Sequence, residues 1–227
     1  MNWVVKRSAT TVAVPPSKPG PAASVMGGTN LRTSNGLREF LDVLGDVSGS
    51  RVLDLGTVWQ STISFLVDRG YRVSAEDLLR GWKDFLAAEE EHERAAPAPG
   101  EKVSSAALME KYLRAALHYP EQSFHGILAW DVLDYFDPAM VPVLMERLYH
   151  VLHAGGALLA LFHSRPAEGF HRYRIMDSST VELLAAPTLV VHAHVFHNRE
   201  ILDLFGRFRS SKTFVGRDQV REALFLR

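Results

Sequence analysis

The stretch RVLDLGTVWQST, residues 51–62, decides how the chain folds. Its first half is a short apolar run that ends at Gly56, and a run of this kind between glycines is typical of a strand buried on both faces. Apolar residues then follow at helical spacing, namely Ile63, Leu66 and Val67. A buried strand, a glycine turn and a helix in this order predict the first unit of an α/β fold.

The same alternation continues on both sides of this stretch. A helix is predicted upstream from Ser34, because apolar residues recur there along one face. Further strands are predicted at YRVSAED (71–77), in the first half of FHGILAWDVLDYF (124–136) and at ALLALFH (157–163). Helices are predicted between these strands at 78–88, at 104–117 and from Asp137 onwards. The last of these helices ends at a left-handed cap at Gly155 or Gly156. We therefore expect a Rossmann-like, mostly parallel sheet with helices on both faces.

The last third of the chain departs from this alternation. Strand-like segments at GFHRYRIM (169–176), TVELL (180–184) and TLVVHAHVF (188–196) predict an antiparallel insertion. A helix is expected from Asn198 as its N-cap, and the final runs at 209–216 and 220–227 predict a terminal antiparallel hairpin. The predicted organisation is a disordered arm at 1–30 and one domain at 31–227, with the β insertion at about 165–196.

Composition limits the classes of partner. The formal charge is −1, and residues 1–30 carry Lys6, Arg7 and Lys18 but no acid, so no broad basic field for nucleic acid is expected. The chain has no cysteine, which excludes a disulfide framework and a thiol nucleophile. No stretch approaches the roughly 20 apolar residues of a membrane helix. A cytoplasmic protein without membrane contact is the simplest expectation, and its oligomeric state is left open.

The order of these motifs resembles class I S-adenosylmethionine (SAM)-dependent methyltransferases. The matching pieces are Asp54 and Gly56 after the first strand, the helix from Ser61, the acid Asp77 after the second strand, and then ILAWD (127–131), VLHAGG (151–156), ALLALFH and the terminal hairpin. The resemblance covers roughly residues 34–227, and it implies SAM as the cofactor. It places the cofactor against six residues: Asp54, Gly56, Thr57, Trp59, Asp77 and Leu78.

Each of these roles has a plainer alternative. Asp77 stands 21 residues after Gly56 and suits the ribose hydroxyls, or it caps the helix that begins at Leu78. Asp54 orients the methionine end of the cofactor, or it is solvated at the end of its strand. Trp59 stacks on the ligand, or it fills the cleft.

The chain also departs from the family pattern. Val58 and Gln60 stand where the family usually has glycines, and a side chain there is expected to compete with the ligand for space. The family's third strand with its trailing acid is missing, and His125 replaces the acid that usually opens the fourth strand.

Asp131 is the predicted catalytic residue, because it stands at the carboxyl end of the fourth strand, near the transferred methyl group. It would orient an acceptor or remove its proton. The alternative is a carboxylate paired with a backbone N–H group at the strand end. The Asn/Asp-Pro-Pro-Tyr arrangement of nitrogen methylases is absent, which disfavours nucleic-acid methylation and favours a small-molecule acceptor.

Histidines and arginines supply weaker candidates. A metal site at HAHVFH (192–197) is the less favoured interpretation, because further ligands are not nearby in sequence, and no metal is predicted. His163 ends the fifth strand and is a better candidate for the acceptor site. Arg165 and the run HRYR (171–174) would recognise an anionic acceptor or form a solvated strand face.

Two hypotheses for the function follow from these motifs. The leading one is SAM-dependent methyl transfer to a small molecule. The alternative is a methyltransferase-like binding or scaffold protein that has lost the cofactor. A dinucleotide-dependent oxidoreductase is weaker, because the loop is even further from GxGxxG.

Overall fold

The computed structural model describes residues 30–45, 47–95, 103–167, 169–216 and 218–227. The predicted arm at 1–30 lies outside the described residues except for Asn30, which begins the first strand.

A six-stranded sheet forms the centre of the molecule. Its strands are β2 (Arg51–Asp54), β3 (Arg72–Ala75), β4 (Phe124–Trp130), β5 (Leu152–His163), β8 (Ser210–Val215) and β9 (Val220–Leu226), in the spatial order β3-β2-β4-β5-β9-β8. The first four are parallel to one another, whereas β9 is antiparallel to both β5 and β8. The predicted parallel sheet and terminal hairpin are both present.

Helices cover both faces of this sheet. They are α1 (Asn35–Leu44), α2 (Gln60–Val67), α3 (Leu78–Ala95), α4 (Ser105–Ala116), α5 (Val141–Val151) and α6 (Asn198–Leu204), with a short 3-10 helix at Val132–Tyr135. One apolar core joins α3, α4, α5 and α6 to the sheet, and a second joins α1 and α2 to the opposite face. Burial of these apolar faces is the main stabilising contribution to the fold.

A second sheet of three strands lies beside the first. It contains β1 (Asn30–Thr33), β7 (Thr180–Ala186) and β6 (Phe170–Ile175) in that order, all antiparallel. The Thr62 hydroxyl of α2 accepts the Ile175 backbone N–H at 3.0 Å. This contact joins β6 to the helix that follows β2.

The predicted strand at 188–196 is wrong. That segment is irregular, and the backbone N–H groups of Ala193 and His194 donate to the Asp134 carbonyl at 2.9 and 3.1 Å. These bonds replace a strand ladder, so His192 and His194 do not share the face of a strand.

Several boundaries also differ from the predictions. Helix α5 begins at Val141 rather than at Asp137, and the glycines at 155 and 156 lie inside β5, where Gly155 has a φ of +81°. His197 rather than Asn198 is the N-cap of α6, because it forms a capping box with Glu200.

No strand occurs between β3 and β4 among the described residues, and residues 96–102, which make up much of the segment that lacks the family's third strand in sequence, lie outside them. In the described part of the chain, no helix is both long enough and apolar enough to cross a membrane.

Candidate functional site

The predicted site residues meet at the carboxyl ends of the parallel strands. Asp54 ends β2, Asp77 follows β3, Asp131 follows β4 and His163 ends β5. Ligands bind at this edge in open α/β sheets, because the loops there leave a crevice between neighbouring strands.

Asp54 is buried, and its hydrogen bonds are local. One carboxylate oxygen accepts the backbone N–H of Gly56 at 3.0 Å and the indole N–H of Trp130 at 2.7 Å. Burial raises the pKa of Asp54 to about 6, and the two hydrogen bonds oppose that rise. The alternative of a solvated carboxylate at the strand end is therefore excluded.

Trp130 occupies the space beside the glycine turn. A Cβ atom added to Gly56 would lie 2.5 Å from Cδ1 of Trp130, so only glycine fits at that position. Trp130 has a φ of +48° and stacks on the ring of Tyr173 at 5.4 Å between centroids. This aromatic pair fills most of the crevice.

The cavity that remains has a volume of about 20 Å³. Small-molecule sites usually have volumes of about 300–1,000 Å³. Residues that follow β2, β3 and β4 line the remaining space together with residues of β6, among them Gly56, Thr57, Asp77, Asp131 and Arg172. The crevice is closed in this conformation.

The side chains of Val58 and Gln60 are exposed on the loop after β2. Val58 is 50% exposed, and Gln60 is exposed and close to Ser64. Their competition with a ligand stays a prediction. Trp59 is half-buried and has the Arg174 guanidinium 5.9 Å from its ring centroid.

Of the two residues after β3 predicted to contact the cofactor, only Asp77 lines the small cavity. Asp77 lines the small cavity and accepts the Arg80 backbone N–H at 3.1 Å, so it forms the helix cap that the sequence allowed. Its second oxygen lies 3.8 Å from the Arg80 guanidinium. Leu78 is buried in the core, and Leu79 rather than Leu78 lines the cavity.

Asp131 contacts side chains rather than a backbone N–H group of another residue. Its carboxylate accepts the Tyr173 hydroxyl at 2.9 Å and lies 3.8 Å from Nε2 of His163. Burial raises the pKa of Asp131 to about 6, although His163 and Tyr173 act in the opposite direction. Tyr173 thereby links the insertion to the predicted catalytic carboxylate.

His163 also faces Asp134, a residue that no sequence motif singled out. One Asp134 oxygen accepts the His163 backbone N–H at 2.7 Å and lies 3.0 Å from Nδ1 of that ring. Burial opposes protonation of His163, but the hydrogen bond with Asp134 and the charge of Asp131 outweigh it and raise the pKa of His163. The pattern DxxD at 131–134 is the only sequence signal for Asp134, and it is too common to be decisive.

A second cavity of about 270 Å³ lies next to His163. Arg165 and His171 line it together with Asp218, whose carboxylate lies 3.0 Å from the Arg32 guanidinium. The predicted cationic cluster is divided, because Arg174 turns away from this cavity to pair with Glu182. Arg165 and His171 line this cavity, whereas Arg172 lines the small cavity beside Asp131.

Comparison with known proteins gives structural neighbours only. No protein-family model and no curated protein matches the chain. Solved structures that are similar include the glycopeptide N-methyltransferase MtfA complexed with SAM, at 16% identity, covering 93% of this chain and 99% of that one, with a TM-score of 0.43. A SAM-dependent methyltransferase from Mesorhizobium loti has 16% identity over 84% of this chain and 95% of that one, with a TM-score of 0.46. One from Archaeoglobus fulgidus has 11% identity over 84% and 91%, also with a TM-score of 0.46.

The strand order and the terminal hairpin define the fold. The chain has a Rossmann-like α/β fold with a mostly parallel six-stranded sheet, helices on both faces, a terminal antiparallel hairpin and a three-stranded sheet beside the crevice.

Proposed function

We propose that this protein binds SAM at the carboxyl ends of β2, β3 and β4 and transfers its methyl group to a small molecule. The observation that carries the proposal is the convergence of Asp54, Gly56 and Asp77 on one crevice beside Asp131. An acid after each of the first two strands meets the two polar ends of the cofactor, its ammonium group and its ribose.

Binding requires the crevice to open. Trp130 and Tyr173 leave about 20 Å³ there, so the cofactor enters only when these rings move apart. Tyr173 belongs to β6, which also contacts Thr62 of α2 and pairs with β7. Opening therefore requires Tyr173 to break its stack with Trp130 and its hydrogen bond to Asp131.

We propose a small anionic acceptor in the cavity of about 270 Å³. Arg165 supplies the positive charge that favours an anion, and His163, which also lines the cavity, lies 3.8 Å from Asp131. Asp131 would orient the acceptor or accept its proton, and a carboxylate with a pKa of about 6 is suited to that exchange near neutral pH.

The cytoplasm remains the proposed compartment, because a sequence without cysteine is compatible with a reducing environment.

One observation favours a second candidate, a binding or scaffold protein without cofactor. Both groups that donate to Asp54 belong to the protein itself, and the aromatic pair closes the crevice. In that case the closed conformation is the functional one, and SAM does not bind.

Substitutions of Asp77 test the proposed cofactor site. We expect Asp77→Asn to weaken SAM binding by about 1–3 kcal/mol, because the amide has one uncharged acceptor oxygen where the carboxylate offers two charged ones to the ribose hydroxyls. The helix cap should survive, since asparagine caps as well as aspartate does. Isothermal titration measures the affinity, and thermal unfolding verifies the cap.

Asp137→Asn is the matched control for Asp77→Asn. Asp137 is an exposed aspartate that also accepts a local backbone N–H, from Ala139 at 2.8 Å, and it does not line the crevice. Equal SAM affinity in the wild type and in Asp77→Asn would place the cofactor elsewhere.

A further inference from the structure

Three side chains with metal-binding atoms meet beside the proposed acceptor cavity. They are Asp134 in the 3-10 helix, His163 at the end of β5 and His192 in the irregular segment before α6, and their candidate ligand atoms lie within 4.8 Å of one another. One Asp134 oxygen is 3.0 Å from Nδ1 of His163 and 3.7 Å from Nε2 of His192. Two ligands at about 2.1 Å from an ion in a tetrahedral site are separated by about 3.4 Å.

Two of these groups are buried with a polar atom unused. Asp134 has a fully buried side chain, yet its second oxygen accepts no hydrogen bond, and Nε2 of His192 is buried without a partner while its side chain is 10% exposed. Buried polar atoms are normally hydrogen-bonded or bind an ion, because leaving them unpaired costs free energy. Both unused atoms belong to the same cluster.

The two buried carboxylates near this cluster also favour a bound cation. Asp131 and Asp134 are both buried, and Asp131 lies 3.8 Å from His163. Two buried carboxylates need a counter-charge, and an ion bound to His163 would supply the positive charge that a proton on this ring otherwise provides. No lysine or arginine forms an ion pair with either carboxylate among the described residues.

The surrounding structure holds the three side chains in place. The Asp134 carbonyl accepts the backbone N–H groups of Ala193 and His194, which fixes the segment that carries His192. The Asp134 carboxylate accepts the His163 backbone N–H, and the rings of His163 and His192 lie edge to face at 5.4 Å between centroids. Contacts of this kind orient ligands before the ion arrives.

We propose that Asp134, His163 and His192 bind a divalent first-row transition ion such as Zn²⁺ or Fe²⁺. Two imidazoles and one carboxylate suit these ions better than Mg²⁺ or Ca²⁺, which prefer oxygen ligands. Three protein ligands leave a coordination position open, and His163 also lines the cavity of about 270 Å³. An oxygen atom of an acceptor in that cavity is the ligand we assign to the open position.

The ion site does not depend on SAM binding. Its residues belong to β5, the 3-10 helix and the segment before α6, whereas the proposed cofactor residues belong to the ends of β2 and β3. Metal titrations without SAM therefore test this inference separately from the proposed function.

Co²⁺ is the probe for the experiment, because its visible absorption reports on nitrogen ligands and coordination number. Tag-free protein, stripped with a chelator and dialysed, is titrated with Co²⁺ and then with competing Zn²⁺. We expect one ion per chain, with d–d absorption bands that Zn²⁺ abolishes. The His192→Ala variant should bind Co²⁺ about 100-fold more weakly and lose the bands.

His194→Ala is the matched control. His194 lies two residues from His192 in the same segment and bonds to Glu200 at 3.0 Å outside the cluster, so its removal should leave the bands unchanged. The more conservative His192→Gln keeps most of the side-chain volume and serves if His192→Ala fails to fold. Equal Co²⁺ affinity and spectra in the wild type and the folded His192 variants, or loss of the bands in His194→Ala alone, would overturn the proposal.

Discussion

At the scale of single residues, Trp130 controls access to the crevice. Its indole N–H donates to Asp54, its ring packs against Gly56, and its stack with Tyr173 joins β4 to the insertion. No pattern in the sequence indicates that this residue fills the space beside Gly56. The reason lies in the positive φ of Trp130, which turns the side chain towards β2.

We expect Trp130→Ala to bind SAM at least about tenfold more tightly than the wild type, because binding no longer displaces the indole. The same change should lower the free energy of unfolding by about 3–5 kcal/mol through the lost burial. Isothermal titration and urea unfolding measure the two effects.

Trp82→Ala is the control for the loss of a buried indole. Trp82 is buried against Tyr112 and Phe136, away from the crevice, and its removal should cost similar stability without changing SAM affinity. Weaker SAM binding by Trp130→Ala would mean that the indole contacts the cofactor and does not merely fill its space.

Asp54 makes stability depend on pH. Its pKa is about 6 in the folded protein against 3.8 in the unfolded chain, so the folded state binds the extra proton between these values. Stability from this group is present below pH 4 and is lost as the pH rises through about 6. The nearby charge of Asp77 acts in the same direction on the pKa of Asp54.

We expect the wild type to lose up to about 3 kcal/mol of unfolding free energy between pH 4 and pH 7 relative to Asp54→Asn, which lacks the titrating group. Urea unfolding of both proteins at each pH measures the difference, and the titration of all other groups cancels in the comparison. Parallel stability profiles would show that Asp54 titrates normally in the folded protein.

At the scale of secondary-structure elements, a buried ion pair joins the two sheets. Arg32 of β1 lies 3.0 Å from Glu222 of β9, and both side chains are buried. Glu222 also accepts the backbone N–H of Gly36 in the first turn of α1. One carboxylate thus fixes the small sheet, the central sheet and α1 relative to one another.

We expect Glu222→Ala to destabilise the protein by about 3–5 kcal/mol, because it leaves the Arg32 guanidinium buried with only Asp218 as a partner. Urea unfolding measures the change. On the neighbouring strand β8, Lys212→Ala removes the exposed ion pair with Glu39 of α1 and should have no measurable effect. A Glu222 variant as stable as the Lys212 variant would show that this pair does not hold the two sheets together.

Periodicity predicted most of the elements correctly and failed where tertiary contacts decide the backbone. The buried strands and the amphipathic helix α1 follow from local apolar patterns, and the structure contains them. The segment 188–196 alternates like a strand, yet its N–H groups donate to Asp134, a residue more than fifty positions earlier. The grouping of Asp134 with His163 and His192 depends on that long-range contact, so the sequence pattern could not predict it.

At the scale of the whole molecule, a three-stranded sheet lies over one edge of the parallel sheet. The central sheet presents Asp54, Asp77 and Asp131 at that edge, and the three-stranded sheet places Tyr173 over them. Under the proposed function, the affinity for cofactor depends on the fraction of molecules in which Trp130 and Tyr173 have moved apart, because only those molecules bind.

The most direct test of cofactor binding in this crevice is a calorimetric titration of the wild-type protein with S-adenosylhomocysteine, with NAD as the control ligand. We expect saturable binding of one molecule per chain at micromolar concentration and no binding of NAD. Absence of S-adenosylhomocysteine binding at millimolar concentration would contradict the proposed function and would identify the closed crevice as the functional state of a binding protein.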